Sequence, residues 1–242
     1  MIGYQHSRLL AAVIGALIIH SSVMAYGDGD IQQNKGPVII SSEKELILQK
    51  GQNYTIICRA NTPVQIKQQE ISEDVISLFN MTQRNMPSSD PMYLYETALD
   101  LTNVDQLAVG YYACFDNTTK NDSEILNNFV EEPKDNEHVS YIYIYVNGTD
   151  NIFAPMREVV ISRGGLKVAI ECRPTTPDVE VSLHLVFAES ESINQSQINF
   201  NPKIGFTFDN NLLDVPIAIF SCDFVRGNIE DKKEVIVNKP AE

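Results

Sequence analysis

The sequence predicts an all-β protein built as two tandem β-sandwich domains. Three observations carry this prediction: the spacing of four cysteines, an internal repeat, and many short runs that alternate apolar and polar residues. The repeat is read around the first cysteine of each half. Gly51-Gln52-Asn53-Tyr54-Thr55-Ile56-Ile57-Cys58 and Gly165-Leu166-Lys167-Val168-Ala169-Ile170-Glu171-Cys172 both place glycine seven residues before the cysteine. Both place apolar residues four and two before it, and both continue with arginine and then Thr-Pro (Thr62-Pro63, Thr176-Pro177). One repeat unit is one domain. Alternation of Tyr54, Ile56 and Cys58, and of Val168, Ile170 and Cys172, is the period of a strand with one buried face.

Other strands follow from the same pattern. Leu46 to Leu48 and Val159 to Ile161 precede the glycine turns. Met92 to Tyr95, Leu99 to Val104 and Val179 to Phe187 lie between the cysteines. Tyr141 to Val146 and Val235 to Val237 close the two units. A sustained helical period is absent, so many short strands point to sandwiches. The domains are expected at 36–146 and 153–238, joined by the six-residue link Asn147 to Ile152, which limits independent movement. The polar, acidic, Asn-rich stretch Asp116 to His138 falls between the last two strands of the first unit. Its length suggests function, while its composition favours a solvated, mobile loop.

Residues 1–25 read as a secretory signal peptide. Arg8 supplies the positive start, Leu9 to Ile19 an apolar run too short to cross a bilayer, and Val23 and Ala25 a small-residue cleavage site. No second run approaches the ~20 apolar residues of a spanning helix. The mature chain is therefore expected to be secreted, with no membrane insertion; any membrane part would lie beyond Glu242. In an oxidising compartment the four cysteines are expected to pair. Spacings of 56 and 50 residues for Cys58–Cys114 and Cys172–Cys222 match the bridge between the second and sixth strands of an immunoglobulin sandwich. Tyr112, two residues before Cys114, stands at the tyrosine-corner position; Phe220 replaces it in the second unit. The chain has no tryptophan. Ile66 in the first domain, and Val181 or Leu183 in the second, are expected to fill the place where tryptophan usually packs on the disulfide.

A net charge of −14 disfavours nucleic acid and fits a basic protein partner. Neither a catalytic motif nor a metal-binding cysteine pair occurs, so no enzyme activity, cofactor or metal is expected. Six sequons, Asn53, Asn80, Asn117, Asn121, Asn147 and Asn194, predict a glycoprotein, with Asn117 and Asn121 in the long loop favoured.

Cys172-Arg-Pro-Thr-Thr-Pro-Asp-Val-Glu-Val-Ser-Leu-His184, with Ile204-Gly205-Phe206, resembles the second immunoglobulin domain of platelet-derived and vascular endothelial growth factor receptors. Tyr141 to Val146 with Phe153-Ala154-Pro155 resembles the strand and linker joining the first two domains of that family. The resemblance implies extracellular binding of a cystine-knot growth factor dimer through a largely apolar face of the second domain. The matching positions are Phe153, Met156, Val186 and Phe187. Strand alternation places Val186 and Phe187 on opposite faces, so one at most is expected to be exposed, and Phe153 and Val186 could instead pack the core. Three roles fit: a soluble ligand-binding receptor form, the N-terminal piece of a transmembrane receptor tyrosine kinase, or an adhesion or recognition protein of the same fold.

Overall fold

A computed structural model describes residues 36–69, 79–116, 126, 129–162, 167–188, 197–213 and 215–239. The proposed signal peptide, Gly165, Leu166 and the sequons Asn117, Asn121 and Asn194 lie outside the described residues. The first sandwich contains β1 (Val38–Ile39), β2 (Glu45–Gln49), β3 (Tyr54–Ala60), β4 (Val64–Gln68), β5 (Asn80–Pro87), β6 (Tyr95–Thr102), β7 (Gly110–Asp116) and β8 (Val139–Asn147). These form two four-stranded sheets, ordered β1-β3-β6-β5 and β2-β8-β7-β4. The second contains β9 (Val159–Ile161), β10 (Lys167–Ile170), β11 (Glu180–Ala188), β12 (Asn199–Asn201), β13 (Gly205–Asp209), β14 (Ile217–Arg226) and β15 (Ile229–Asn238). Its sheets are ordered β10-β13-β12 and β11-β14-β15-β9. The strand at the start of each closing sheet, β2 or β9, pairs in parallel with the last strand of its unit; every other ladder among the described residues is antiparallel. This is the immunoglobulin arrangement, twice over.

Each core is pinned by a disulfide across its sheets, Cys58–Cys114 and Cys172–Cys222, with all four sulfurs buried. An aliphatic residue lies opposite the later cysteine in each domain. Ile66 pairs with Cys114 and Leu183 with Cys222, and both are buried. Leu183 rather than Val181 therefore fills the second site. The Tyr112 hydroxyl donates to the Ala108 carbonyl at 3.0 Å and is wholly buried. Phe220 takes the equivalent place without that bond and packs on Phe208, ring centres 5.8 Å apart.

Two strand expectations need correction. Met92 to Tyr95 is not a strand. Asp90 gathers the chain into a turn, its side chain accepting from the Met92 N–H at 3.0 Å and its carbonyl from the Tyr93 N–H at 3.1 Å. The Ser-Ser-Asp-Pro sequence ahead of it is turn chemistry that overrides the apolar run. The predicted Leu99–Val104 strand starts earlier, at Tyr95, and ends at Thr102, because Asn103 turns out of the sheet at φ 55°. β5 escaped notice in the sequence because it is a polar edge strand with no apolar alternation.

Gly205 shows how close the backbones come. At φ +106°, a Cβ there would lie 2.1 Å from the Ile170 carbonyl oxygen and 2.7 Å from the Cys172 nitrogen. Gly205→Ala should destabilise the second domain by roughly 2–4 kcal/mol, read from denaturant unfolding. Tyr112→Phe should cost about 1–2 kcal/mol in the same assay by leaving the buried Ala108 carbonyl without its partner.

Candidate functional site

The outer face of the β11-β14-β15-β9 sheet carries an apolar band. The ladders align Phe187 with Ile219, Ile219 with Ile236, and Ile236 with Val159, so one row of apolar side chains crosses all four strands. The row spans roughly 14 Å at ordinary strand spacing. Phe187 is 52% exposed, Ile236 39% and Val159 51%, with Ile219 half-buried. Ile217 and Ile161 extend the band along their strands, and both are exposed. Farther along β14 the same face turns polar. The Ser182 hydroxyl and His184 Nε2 are 3.1 Å apart, the Ser221 hydroxyl donates to Asp223 at 2.6 Å, and Glu234 and Lys232 face them from β15. An apolar patch rimmed by polar groups is the signature of a protein-binding surface.

Phe187 reaches this face through a β-bulge. Leu185 pairs with Phe220 and Phe187 with Ile219, leaving Val186 as an extra residue on β11. The bulge breaks the alternation, so Val186 and Phe187 are both exposed, at 51% and 52%. The expectation that one at most would be exposed is thus overturned, since one inserted residue turns the following side chain to the other face. Val186 does not pack the core.

The other two predicted positions differ. Met156 belongs to the second core and is 8% exposed. Phe153 is partly buried, stacks on Phe224 at 5.4 Å between ring centres, and lies beneath the Lys233 ammonium at 5.7 Å. Both line a groove that also includes Gln106 and Leu107 of the first domain and Val159 of the apolar row. Val159 therefore joins the groove to the band. Val159, Ile219 and Ile236 were missed in the sequence. Their signal was present in Ile217-Ala-Ile-Phe220 and Val235-Ile-Val237, where apolar residues run without alternation and so occupy both faces.

Among the described residues, the corresponding sheet of the first domain, β2-β8-β7-β4, is covered instead. Tyr111, Tyr141, Tyr143 and Tyr145 point outward from β7 and β8, yet all are buried. Phe129 packs edge-on against Tyr111, with ring centres 5.1 Å apart, and Leu126 joins the same core. Phe129 therefore anchors the 129–138 segment against the sheet, while most residues from Glu131 to His138 are exposed, as expected of a solvated loop. Buried tyrosine rings repay its ordering. Burial pushes the Tyr141 and Tyr143 phenols up to about 12, in Tyr143 against the opposing pull of Arg173.

The same segment reaches the second domain. Glu132 accepts from Asn201 at 2.7 Å and pairs with Lys203; Lys203 also binds Glu45 at 2.6 Å, and Glu131 meets Lys167 at 3.1 Å. Burial works to raise the Glu132 carboxyl, but the bonds from Lys203 and Asn201 hold it below the usual range. Burial likewise works to lower Lys203, and its two carboxylates outweigh that. Arg173 completes the junction. Its guanidinium is buried, donating to the Gln69 side chain at 2.9 Å and the Pro155 carbonyl at 3.0 Å. Gly110, at φ +143°, leaves room for it, since a Cβ would stand 3.2 Å from Arg173 Nη1. Its repeat counterpart Arg59 instead pairs with Glu96 on the first domain. The link is held too: Val146 N–H donates to Thr175 O, Thr175 N–H to Ile152 O, and Ala154 N–H to Arg173 O.

Among the described residues no group of three or more His, Cys, Asp or Glu could hold a metal ion, and no helix is long and apolar enough to cross a membrane.

Comparison with known proteins agrees with this anatomy. The chain is 27% identical over 151 residues to platelet-derived growth factor receptor alpha of Mus musculus. The alignment covers 61% of this chain and 12% of the receptor. It is a distant homologue of an immunoglobulin-type receptor. The receptors of Rattus norvegicus and Gallus gallus match with the same identity and coverage. The chain thus spans about an eighth of the length of these relatives. No family model matches. Among solved structures, the N-terminal eight immunoglobulin domains of Down Syndrome Cell Adhesion Molecule align at 13% identity and a TM-score of 0.49, over 84% of this chain and 24% of that one. The titin tandem A164-A165 aligns at 13% and 0.29, over 86% of this chain and 98% of that one. The immunoglobulin character of the chain is carried by its own sheets, disulfides and tyrosine corner.

His138 closes the root of the 129–138 segment. Its Nδ1 lies 3.0 Å from Asp116 Oδ2, and Glu137 stands at 3.4 Å from its other nitrogen. The hydrogen bond to Asp116 raises its pKa above 6.5. A raised folded value means stabilisation that is complete below the unfolded pKa and lost as pH rises through the folded one. The gap in thermal unfolding midpoint between wild type and His138→Gln should be widest between roughly pH 5 and 6.5, and should close towards about pH 9.

Proposed function

We propose that this chain is a secreted, glycosylated, growth factor-binding protein, with immunoglobulin domains at 36–146 and 153–238 and no enzymatic role of its own. Its ligand is a cystine-knot growth factor dimer of the platelet-derived or vascular endothelial class. The observation that carries this reading is the apolar row Phe187, Ile219, Ile236 and Val159, displayed by the β11 bulge on the second domain. The homology to a growth factor receptor supports the class of ligand. Phe153, on the wall of the adjoining groove, and Val186, on the bulge itself, extend the contact surface; buried Met156 supports the groove from below. The acidic chain suits a basic ligand, which charge would steer to it.

Phe187 is the residue whose loss should weaken binding most, because a large exposed aromatic ring is the usual anchor of an apolar contact. The intact secreted chain, captured on a surface, should bind platelet-derived growth factor-class dimers. Phe187→Asp should weaken that binding by at least about tenfold without lowering the unfolding midpoint. Absence of wild-type binding at micromolar concentration, or equal binding by the variant, would overturn the proposal. Self-association in ultracentrifugation without growth factor binding would instead favour adhesion.

A further inference from the structure

Two of the sequons converge on one surface of the first domain. β3 pairs with β6 so that Tyr54 faces Leu101, and the register carried back one residue sets Asn53 beside Thr102. β5 pairs with β6 so that Asn80 also faces Thr102. Asn53 and Asn80 therefore flank one threonine, two strand spacings or roughly 10 Å apart. Both are exposed. The Asn53 amide oxygen accepts from the Asn103 N–H at 2.9 Å, which fixes the side chain at the rim of the sheet.

The side chains in register with them identify the face. Thr55 donates to Asp100 at 2.8 Å, and Arg84 binds the same carboxylate at 2.7 Å and 3.0 Å. Thr55, Asp100 and Arg84 thus share the outer face of the β1-β3-β6-β5 sheet. Asn53 lies two residues from Thr55, and Asn80 four from Arg84, so both belong to that face by strand alternation. Asn147 differs. It is half-buried at the domain junction, where its amide oxygen accepts from Gly148 N–H at 2.8 Å and from Arg226 at 3.3 Å.

β5 adds a physical need. Among the described residues it pairs on one side only, with β6, and it runs for eight residues along the sheet edge, most of them exposed. An edge of that length invites pairing with another chain unless something blocks it.

We infer that Asn53 and Asn80 both carry N-linked glycans that stand side by side over the outer face of this sheet and screen it, with its β5 edge, from protein contact. In each transfer the asparagine Nδ2 attacks the anomeric carbon of a lipid-linked oligosaccharide. The C–N bond forms, the bond to the polyprenyl diphosphate breaks, and the lipid diphosphate and the amide proton leave. The first domain is then closed on both sides, by sugar on one sheet and by the 129–138 segment and second domain on the other. The inference rests on the secretory reading proposed above but not on the identity of the ligand.

The test uses the full chain, expressed with its own leader in animal cells. Glycosidase release in heavy-oxygen water, read by mass spectrometry, should tag both Asn53 and Asn80 on the wild-type protein. Hydroxyl-radical labelling of Ile57 and Met86, which share the outer face with Asn53 and Asn80, should rise several-fold when both glycans are removed, whereas labelling of Phe187 stays unchanged. Removal is made twice, by Asn53→Gln/Asn80→Gln and by enzymatic trimming of wild type, so that poor folding of the variant leaves a second measurement. Recovery of either asparagine mainly unmodified, or unchanged labelling of Ile57 and Met86 after trimming, would overturn the inference. Neither result bears on growth factor binding, which the Phe187 experiment decides separately.

Discussion

β8 is apolar on both faces, and much of the molecule follows from that constraint. Ile142, Ile144 and Val146 face the core of the first sandwich, while Tyr141, Tyr143 and Tyr145 face away from it, and all six are buried. A sheet of a two-layer sandwich normally shows one face to water. Here the second face needs a third layer. The 129–138 segment supplies one part of it, with Phe129 on Tyr111 and Tyr141. The second domain supplies another, through buried Arg173 next to Tyr143.

That cover explains the electrostatics of the junction. Buried Arg173 donates to the Gln69 side-chain amide oxygen and to the Pro155 backbone carbonyl. Such neutral partners satisfy hydrogen bonds but leave the charge dependent on position, so the junction has little freedom to slide. Lys203 is handled differently, between two carboxylates that are themselves half exposed. Solvent screens pairs of that kind, so they align the domains more than they stabilise them.

The two domains therefore present opposite surfaces from one fold. In the first, the sheet containing β7 and β8 is covered by protein. In the second, the corresponding sheet, β11-β14-β15-β9, is uncovered and carries an apolar band. A bulge on its edge strand turns one aromatic ring onto that band. Covering one face and leaving its repeat open leaves the second domain with the exposed apolar band.

The sequence alone determined the strands that flank the cysteines, the pairing of those cysteines, the tyrosine corner and the aliphatic replacement for tryptophan in the first domain, and it narrowed the second to Val181 or Leu183. All of these follow from short-range alternation or from fixed spacing within one repeat. Only the tertiary structure decided the rest. Arg59 and Arg173 occupy the same place in the repeat, yet one pairs with the buried carboxylate of Glu96 within the first domain and the other lies at the buried junction. Val186 and Phe187 share a face because one residue is inserted in a ladder whose partner strand lies more than thirty positions away. Phe129, within the acidic stretch before His138, packs on Tyr111 and Tyr141 because β7 and β8 offer it tyrosines to cover. In each case the outcome depends on which surfaces meet across long sequence separations, and local periodicity carries no record of that.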